Sequence, residues 1–424
     1  MRITIITIGS RGDVQPYIAL GLGLKNAKHE VRLATSANFA AAIRQRGLDF
    51  FPIEGDPQAM LQSQTGQAIL DAGSNPFLFA RRFFGMLASQ MQQLLSDCWE
   101  ACQGTEAMVF SLTGFYVGYH VAEKLKVPFY PAYLQPVHPS RYLTSVLFPE
   151  APGWLPLRGS YNLLTHALGG QMVWQMLRRA TNKARREILD LPPISLTGPF
   201  GQLIKQHHPY LYGFSPIVLP KPLDWDANAC VTGYWFLDHP PRWHPPANLI
   251  DFLESGAPPV YVGFGSMNNR NPEESTQLVL DALMSSGQRG ILLTGWGGLS
   301  SADLPDDVFK MDDVPHDWLF PHAAAVVHHG GAGTTAAGLR AGVPSIVVPF
   351  FADQDFWGQR VHTLGAGPKP IQRKKLSTER LANAIRVATN DEVMRRRATI
   401  IGTHILAEDG VAQAVKAFSS LKIG

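Results

Sequence analysis

The chain has 424 residues, of which 45% are hydrophobic, with 37 Lys and Arg against 34 Asp and Glu. That length calls for more than one domain, and a formal net charge of +3 with dispersed basic residues argues against nucleic acid as the main partner. Three cysteines, Cys98, Cys102 and Cys230, are too few and odd in number for a disulfide framework, which suits a reducing, cytoplasmic setting.

In chain order, Ile3 to Ile8 is apolar but short and is stopped by Gly9, so it reads as a first buried strand rather than a signal peptide. No run approaches the length of a membrane span. Gly9 to Pro16 reads as a loop and Tyr17 to Lys28 as a helix. Val31 to Thr35 predicts a strand, Phe39 to Arg46 a helix, and Phe50 to Ile53 a short strand. Met108 to Phe110 and Val127 to Tyr130 continue the alternation expected of a parallel, doubly wound sheet. Residues 136–175, rich in Pro, aromatics and Leu, break the rhythm.

Prolines cluster between Pro216 and Pro246, and residues 216–255 read as a linker. The alternation then restarts with Val260 to Ser266, Ser275 to Ser286, Gly290 to Thr294 and Val308 to Met311. The expected fold class is α/β, with two Rossmann-like, doubly wound parallel-sheet domains facing across a cleft. Residues 1–215 form the first domain and 256–400 the second. Residues 401–424 end in a helix packing back on the first.

The densest chemistry lies at Val326 to Thr335 (VVHHGGAGTT), followed by a small-residue helix, Gly342-Val343-Pro344, a second apolar strand, and Asp353-Gln354. A strand, a Gly-rich turn and a helix start together suit an anion, because free N–H groups at the helix start point at it and glycine lets the backbone approach. His329 adds a donor. The plainer alternative is a Gly-rich turn that only relieves crowding, but an adjacent carboxylate and amide at Asp353-Gln354 suit a polyhydroxyl ligand. Asp353-Gln354-Asp355 also carries an Asp-x-Asp pattern, a spacing that can hold a metal.

The first turn, Gly9-Ser10-Arg11-Gly12-Asp13-Val14-Gln15-Pro16, follows its strand directly. Arg11 supplies a bidentate fork for phosphate or carboxylate. Asp13 serves either as a first-turn helix acid or as a general base for a hydroxyl nucleophile, and spacing alone leaves both open. The sequence GLGLKN at Gly21 to Asn26 lacks the third glycine of a dinucleotide fingerprint and lies inside a helix, against a dehydrogenase.

Two stretches, Thr7 to Leu24 and Val314 to Gly358, resemble the nucleotide-sugar glycosyltransferases of the two-Rossmann (GT-B) type, and specifically the sterol glucosyltransferases. The resemblance is looser but continuous elsewhere. It implies an inverting, metal-independent transfer of glucose from UDP-glucose to a hydroxyl of a sterol or similar lipophilic acceptor, with no cofactor. By the same resemblance, His329, Ala332, Gly333 and Thr334 hold the diphosphate, and Asp353 and Gln354 the glucose hydroxyls. Val314 and His316 flank the uracil, and Ser266 lies near the phosphates. Ser10, Arg11 and Gly12 contribute from the first turn. Asp13 stands where plant relatives have a histidine base, and a carboxylate with a reference pKa near about 3.9 is a weaker base. Those relatives stack uracil on a Trp where this chain has Asp313, with Trp296 or Trp318 as possible substitutes.

For the acceptor, Pro76 to Phe84 and Tyr133 to Trp174 are apolar and aromatic; they suit an acceptor groove, peripheral contact with a membrane surface, or ordinary core helices. Arg178, Arg179, Lys183, Arg185 and Arg186 read as a solvated helix face. The competing readings are a glycosyltransferase with a polyketide, glycopeptide or carotenoid-type acceptor or another nucleotide sugar, a sugar-nucleotide epimerase, and a catalytically silent nucleotide-sugar-binding protein.

Overall fold

The computed structural model describes residues 1–55, 66, 76–240, 243–264, 272–293 and 304–420. Ser266 and Trp296 lie outside the described residues. Two compact units are formed, one by residues 1–55, 76–237 and 409–420, the other by residues 238–408.

The first unit is built on a parallel sheet of β1 (Arg2–Ile6), β2 (Glu30–Thr35), β3 (Asp49–Pro52), β4 (Ala107–Phe110), β5 (Phe129–Tyr133), β6 (Tyr210–Tyr212) and β7 (Ala229–Val231), in the order 3-2-1-4-5-6-7. Its helices are α1 (Arg11–Asn26), α2 (Ala40–Gln45), α3 (Pro76–Ala101), α4 (Leu112–Leu125), α5 (Arg158–Leu189) and α6 (Phe200–Lys205). All four side chains of β4 are buried, as a central strand covered on both faces requires.

The second unit contains α7 (Ala247–Glu254), β8 (Val260–Gly263), α8 (Pro272–Ser286), β9 (Gly290–Leu293), β10 (Val308–Met311), α9 (His316–Leu319), β11 (Ala325–His328), α10 (Ala332–Arg340), β12 (Ser345–Val347), α11 (Gln354–Thr363), α12 (Thr378–Asn390) and α13 (Glu392–Leu406). Its strands are parallel in the order 10-9-8-11-12. Alternate residues of β8 and β11 feed two separate cores: Val260, Val262, Val327 and Ile346 on one face, Tyr261 and Val326 with Phe320 and Leu319 on the other. Each such aliphatic side chain contributes roughly 1.5–3 kcal/mol on burial. A charge at Val327 would break the sheet.

Three boundaries differ from the sequence reading. Helix α1 begins at Arg11, not Tyr17: Ser10 is its N-cap and Asp13 lies in its first turn, and the helix carries Pro16 inside it, forgoing the bond that an N–H there would make to the Gly12 carbonyl. Residues 216–237 are not linker but part of the first unit: Val218 and Leu219 are buried, and Trp225 stacks on Tyr212 of β6 with ring centroids 4.7 Å apart. Residues 401–408 complete the second unit, and only α14 (Gly410–Ser420) returns to the first, where it packs so closely on α1 that a Cβ at Gly23 would collide with Val411.

Among the described residues no helix is long and apolar enough to cross a membrane.

Candidate active site

Both turns singled out by sequence sit at the carboxyl ends of strands where the strand order reverses, β1 beside β4 and β8 beside β11. In open α/β sheets that crevice is where ligands bind.

In the first turn, Ser10 is the N-cap of α1 and Asp13 its third residue. The Ser10 amide donates to Asp13 Oδ2 at 2.8 Å and the Ser10 hydroxyl to the same oxygen at 2.9 Å. Asp13 therefore is the first-turn acid that one of the two sequence readings described, and these bonds fix where its carboxylate points. Gly9 makes the arrangement possible. Its φ of +147° favours glycine, and a Cβ there would lie 2.5 Å from Asp13 Oδ2. The turn is braced from β4 and α4: Thr113 donates to the Ile8 carbonyl at 2.6 Å, and the Ser111 amide to that of Ile6 at 3.0 Å. Arg11 and Gly12 are exposed, and a Cβ at Gly12 would meet nothing nearer than Ser10 Oγ at 4.0 Å, so no close approach requires that glycine. Directly behind Asp13, Tyr17 is buried and donates to the Ala132 carbonyl. Burial first, then the neighbouring Asp13 charge, raises its pKa well above the ordinary phenol range, so it stays protonated.

In the second unit, β11 ends at His328 and α10 starts at Ala332. Gly330 turns with φ of +89°, and a Cβ there would lie 2.6 Å from Val347 Cγ1 and 2.8 Å from the Gln354 carbonyl oxygen. That close approach brings the His-Gly-Gly turn against the start of α11, which carries Asp353 and Gln354. Gly331, the N-cap of α10, makes no side-chain cap. The amides of Ala332, Gly333 and Thr334 thus open a bare helix N-terminus, with the positive end of the helix dipole behind them. Thr334 is half-buried, whereas Thr335 is sealed and its hydroxyl has no partner.

His329 lies over this turn: a Cβ at Gly331 would come 2.5 Å from its Nε2. Burial lowers the His329 pKa to about 4, which leaves a neutral imidazole at physiological pH. His328, to which the sequence reading gave no separate role, is wholly buried and accepts the Gly330 amide at Nδ1 at 3.0 Å. That bond assigns the neutral ring's proton to Nε2 and ties the strand end to the turn. Burial, with His329 and His316 nearby, lowers its pKa well below the usual value. A polar residue in the last position of an apolar strand was the signal that could have found it.

The remaining predicted residues divide. His316 opens α9, bonds Tyr261 Oη through Nε2 at 3.2 Å and stacks on Phe320 with centroids 4.4 Å apart. Val314 is a core side chain, 1% exposed, so only its backbone can face a ligand. Asp353 caps α11 in sequence and accepts from Trp357 Nε1 at 2.9 Å. Gln354 is 4% exposed and its carbonyl accepts the amides of Phe350 at 2.8 Å and Phe351 at 3.2 Å, so it also fixes the β12–α11 loop. Asp355 accepts from Gln372 at 2.6 Å, and among the described residues no group of three or more His, Cys, Asp or Glu is placed to hold a metal. Trp318 packs on Trp243 and His322, with centroids 5.4 and 4.7 Å away.

One expectation fails. Arg185 is not on a solvated face: it is 1% exposed, pairs with both Glu123 oxygens at 2.9 and 3.1 Å, and contacts His120 and the Pro192 carbonyl. A buried guanidinium needs such a full set of acceptors, and Glu123 on α4 supplies the charge.

Residues 3–144 match the Glycosyltransferase family 28 N-terminal domain, and residues 292–421 the Erythromycin biosynthesis protein CIII-like, C-terminal domain. Two sterol 3-beta-glucosyltransferases of Arabidopsis thaliana are 38% identical over 426 residues and 37% identical over 430, covering 99% of this chain and 68% and 65% of their own lengths. One from Cryptococcus neoformans is 37% identical over 442 residues, 98% of this chain and 27% of its own length. The chain thus spans about two thirds of these plant relatives and about a quarter of the fungal one. Among solved structures, the kitacinnamycin glycotransferase superposes with a TM-score of 0.70 at 19% identity, covering 99% of this chain and 98% of that one. CalG4, the calicheamicin glycosyltransferase, does so at 0.66 and 18%, covering 99% and 97%. At these identities they show the shared GT-B fold.

Proposed function

The chain belongs to the glycosyltransferase family that contains the sterol 3-beta-glucosyltransferases, and from that premise we propose that it transfers glucose from UDP-glucose to a hydroxyl of a sterol or similar lipophilic acceptor. The observation that carries the donor side is the uncapped start of α10, set beside neutral His329 and against the Asp353–Gln354 loop. A structural neighbour, the glycosyltransferase VinC, was solved in complex with dTDP, which supports a nucleotide-sugar donor.

The chemistry is a single displacement. The Asp13 carboxylate, oriented by Ser10, takes the proton of the acceptor hydroxyl as its oxygen forms a bond to the anomeric carbon. The bond from that carbon to the diphosphate oxygen breaks on the opposite face, which inverts the carbon. Negative charge grows on the departing UDP, where the amides of Ala332 to Thr334, the helix dipole and an N–H of His329 stabilise it. Ser266, outside the described residues, and the backbone at Val314 and His316 complete the donor side. Asp353 and Gln354 hold the glucose hydroxyls. No metal has a role in this scheme.

The test is UDP release from UDP-glucose with and without cholesterol. Sterol-dependent release with a glucoside product is expected. UDP-glucose binding without sterol-dependent release would overturn the sterol acceptor and shift the weight to another acceptor. Donor conversion with no acceptor present would overturn transfer itself in favour of epimerisation.

A further inference from the structure

Helix α5 is amphipathic the wrong way round in its first half. Asn162, Thr165, His166 and Gly169 are buried, while Leu164 and Leu168 stand out in solvent. The inward polar groups are all used on the preceding loop. Asn162 donates to the Arg141 carbonyl at 2.8 Å and accepts from Thr144 at 2.7 Å. Thr165 accepts the Ser145 amide at 3.1 Å, and His166 Nε2 bonds the Leu143 carbonyl at 3.1 Å. Asp224 holds the same loop by accepting from Ser140 Oγ at 2.8 Å and the Arg141 amide at 2.6 Å. The loop is therefore fixed by hydrogen bonds on its inner side, with Leu147 and Phe148 against Gly169 of α5, and Tyr142 and Trp154 are left exposed.

Large apolar side chains are exposed on this loop, on α5 and on the segment that follows it. Exposure is 80% at Trp154, 68% at Leu157, 55% at Leu164, 50% at Leu168, 60% at Tyr142 and 62% at Leu196, the last lying beside α5 through the bond from Gln175 to its carbonyl. Leu157, Leu164 and Leu168 are spaced by seven and four residues and share one helix face. Arg179 and Arg186, both exposed, continue that face in the second half of α5, with Lys183 exposed nearby. The helix carries six basic residues against one acid, Glu187.

We propose that this face of the first unit docks on an anionic lipid bilayer. Trp154, Leu157, Leu164 and Leu168 enter the boundary between headgroups and acyl chains, and Arg179, Lys183 and Arg186 hold anionic headgroups. A tip of Trp and Leu followed by a basic stripe is complementary to such a surface, and single-sign charge beside it is not what a second copy of the same face offers. The inference deepens the proposed function in one respect: a sterol-like acceptor resides in a bilayer, and docking brings the enzyme to it.

The experiment is flotation of the full chain with vesicles of phosphatidylcholine alone and of phosphatidylcholine with phosphatidylserine. Parallel measurements are UDP-glucose affinity and transfer to detergent-dispersed cholesterol. Binding is expected to the mixed vesicles, weakened by salt. It should fall on the order of tenfold in Trp154→Glu/Leu157→Glu and in Arg179→Glu/Arg186→Glu, with UDP-glucose affinity unchanged. These side chains are exposed, so the variants retain the fold. No vesicle binding, equal binding by the variants, or a dimer dissolved by the same substitutions would overturn the proposal. Vesicle binding with no transfer to dispersed cholesterol would leave docking standing and count against the acceptor instead.

Discussion

The two turns of this protein are the same device finished in opposite ways. Each is a strand, a glycine with positive φ and a helix, at the point where strand order reverses. In the first, Ser10 and Asp13 close on one another and α1 starts with its own acid in place. In the second, α10 starts with no side-chain cap, and His329 lies over the turn that precedes it. A helix start that carries its own carboxylate has little left for an anion, but holds a base still. A bare one keeps its amides and dipole for a diphosphate. On the proposed function, the base sits at the capped helix start and the diphosphate at the bare one.

The sharpest break of this comparison is Asp13→Asn. The amide oxygen can still accept from Ser10, so the turn survives, but the proton acceptor is lost. Turnover should fall by roughly 10²–10⁴-fold with UDP-glucose affinity unchanged. Turnover within a few-fold of the parent enzyme would remove Asp13 from the base role.

Substituting a glycine in each turn should give opposite signs. Gly330→Ala places a Cβ 2.8 Å from the Gln354 carbonyl oxygen in a backbone region that disfavours side chains, and should cost roughly 2–4 kcal/mol while weakening UDP binding. Gly12→Ala sits in open helix with nothing nearer than 4.0 Å and should stabilise by roughly 0.5–1 kcal/mol. Urea midpoints of the two variants decide the matter. A tolerated Gly330→Ala would mean that the turn is not held against α11 as described.

Much of this was readable in the chain. The apolar strands with their Gly endings placed β8, β10, β11 and the helix after the double histidine within a residue or two, because buried parallel strands are continuous apolar runs. What escaped the sequence reading did so for physical reasons. The first half of helix α5 was hidden because its inward face is Asn162, Thr165 and His166 rather than Leu. Strand β7 has three residues, too short to alternate, and Pro216, Pro220 and Pro222 before it masked a segment that Trp225 anchors to the sheet. The burial of Arg185 depends on Glu123, 62 residues earlier, a pairing that no local pattern announces.

Neutral His329 gives a pH-dependent sharpening. The diphosphate of UDP-glucose does not titrate between pH 5 and 8, and burial holds His329 neutral down to about 4. Donor affinity should be flat across that range, and His329→Ala should weaken it by about tenfold. A drop in affinity as pH rises through 6.5 would show a charged histidine and overturn the neutral donor. Stability should behave differently. Burial lowers His120 to about 3 and His138 and His208 to about 4. The unfolded chain therefore binds protons first as pH falls below about 6.5, so stability is complete above that value and is lost toward pH 4, by up to about 2 kcal/mol per group at pH 5. Urea unfolding at pH 7 and pH 5 measures it.

The smallest effect separates two adjacent threonines. Thr334 stands half-buried in the first turn of α10, while Thr335 is wholly buried with an unpartnered hydroxyl. Valine has nearly the same shape as threonine, so the substitution removes only the polar group. Thr334→Val should weaken UDP binding several-fold, about 1 kcal/mol, with little change in stability. Thr335→Val relieves a buried hydroxyl of its missing partner and should leave UDP binding unchanged while stability stays level or rises by up to about 1 kcal/mol. If Thr335→Val weakened UDP binding and Thr334→Val did not, the anion would lie deeper in the turn than the bare amides of Ala332 to Thr334, and the contrast between a closed first turn and an open second one would have to be redrawn.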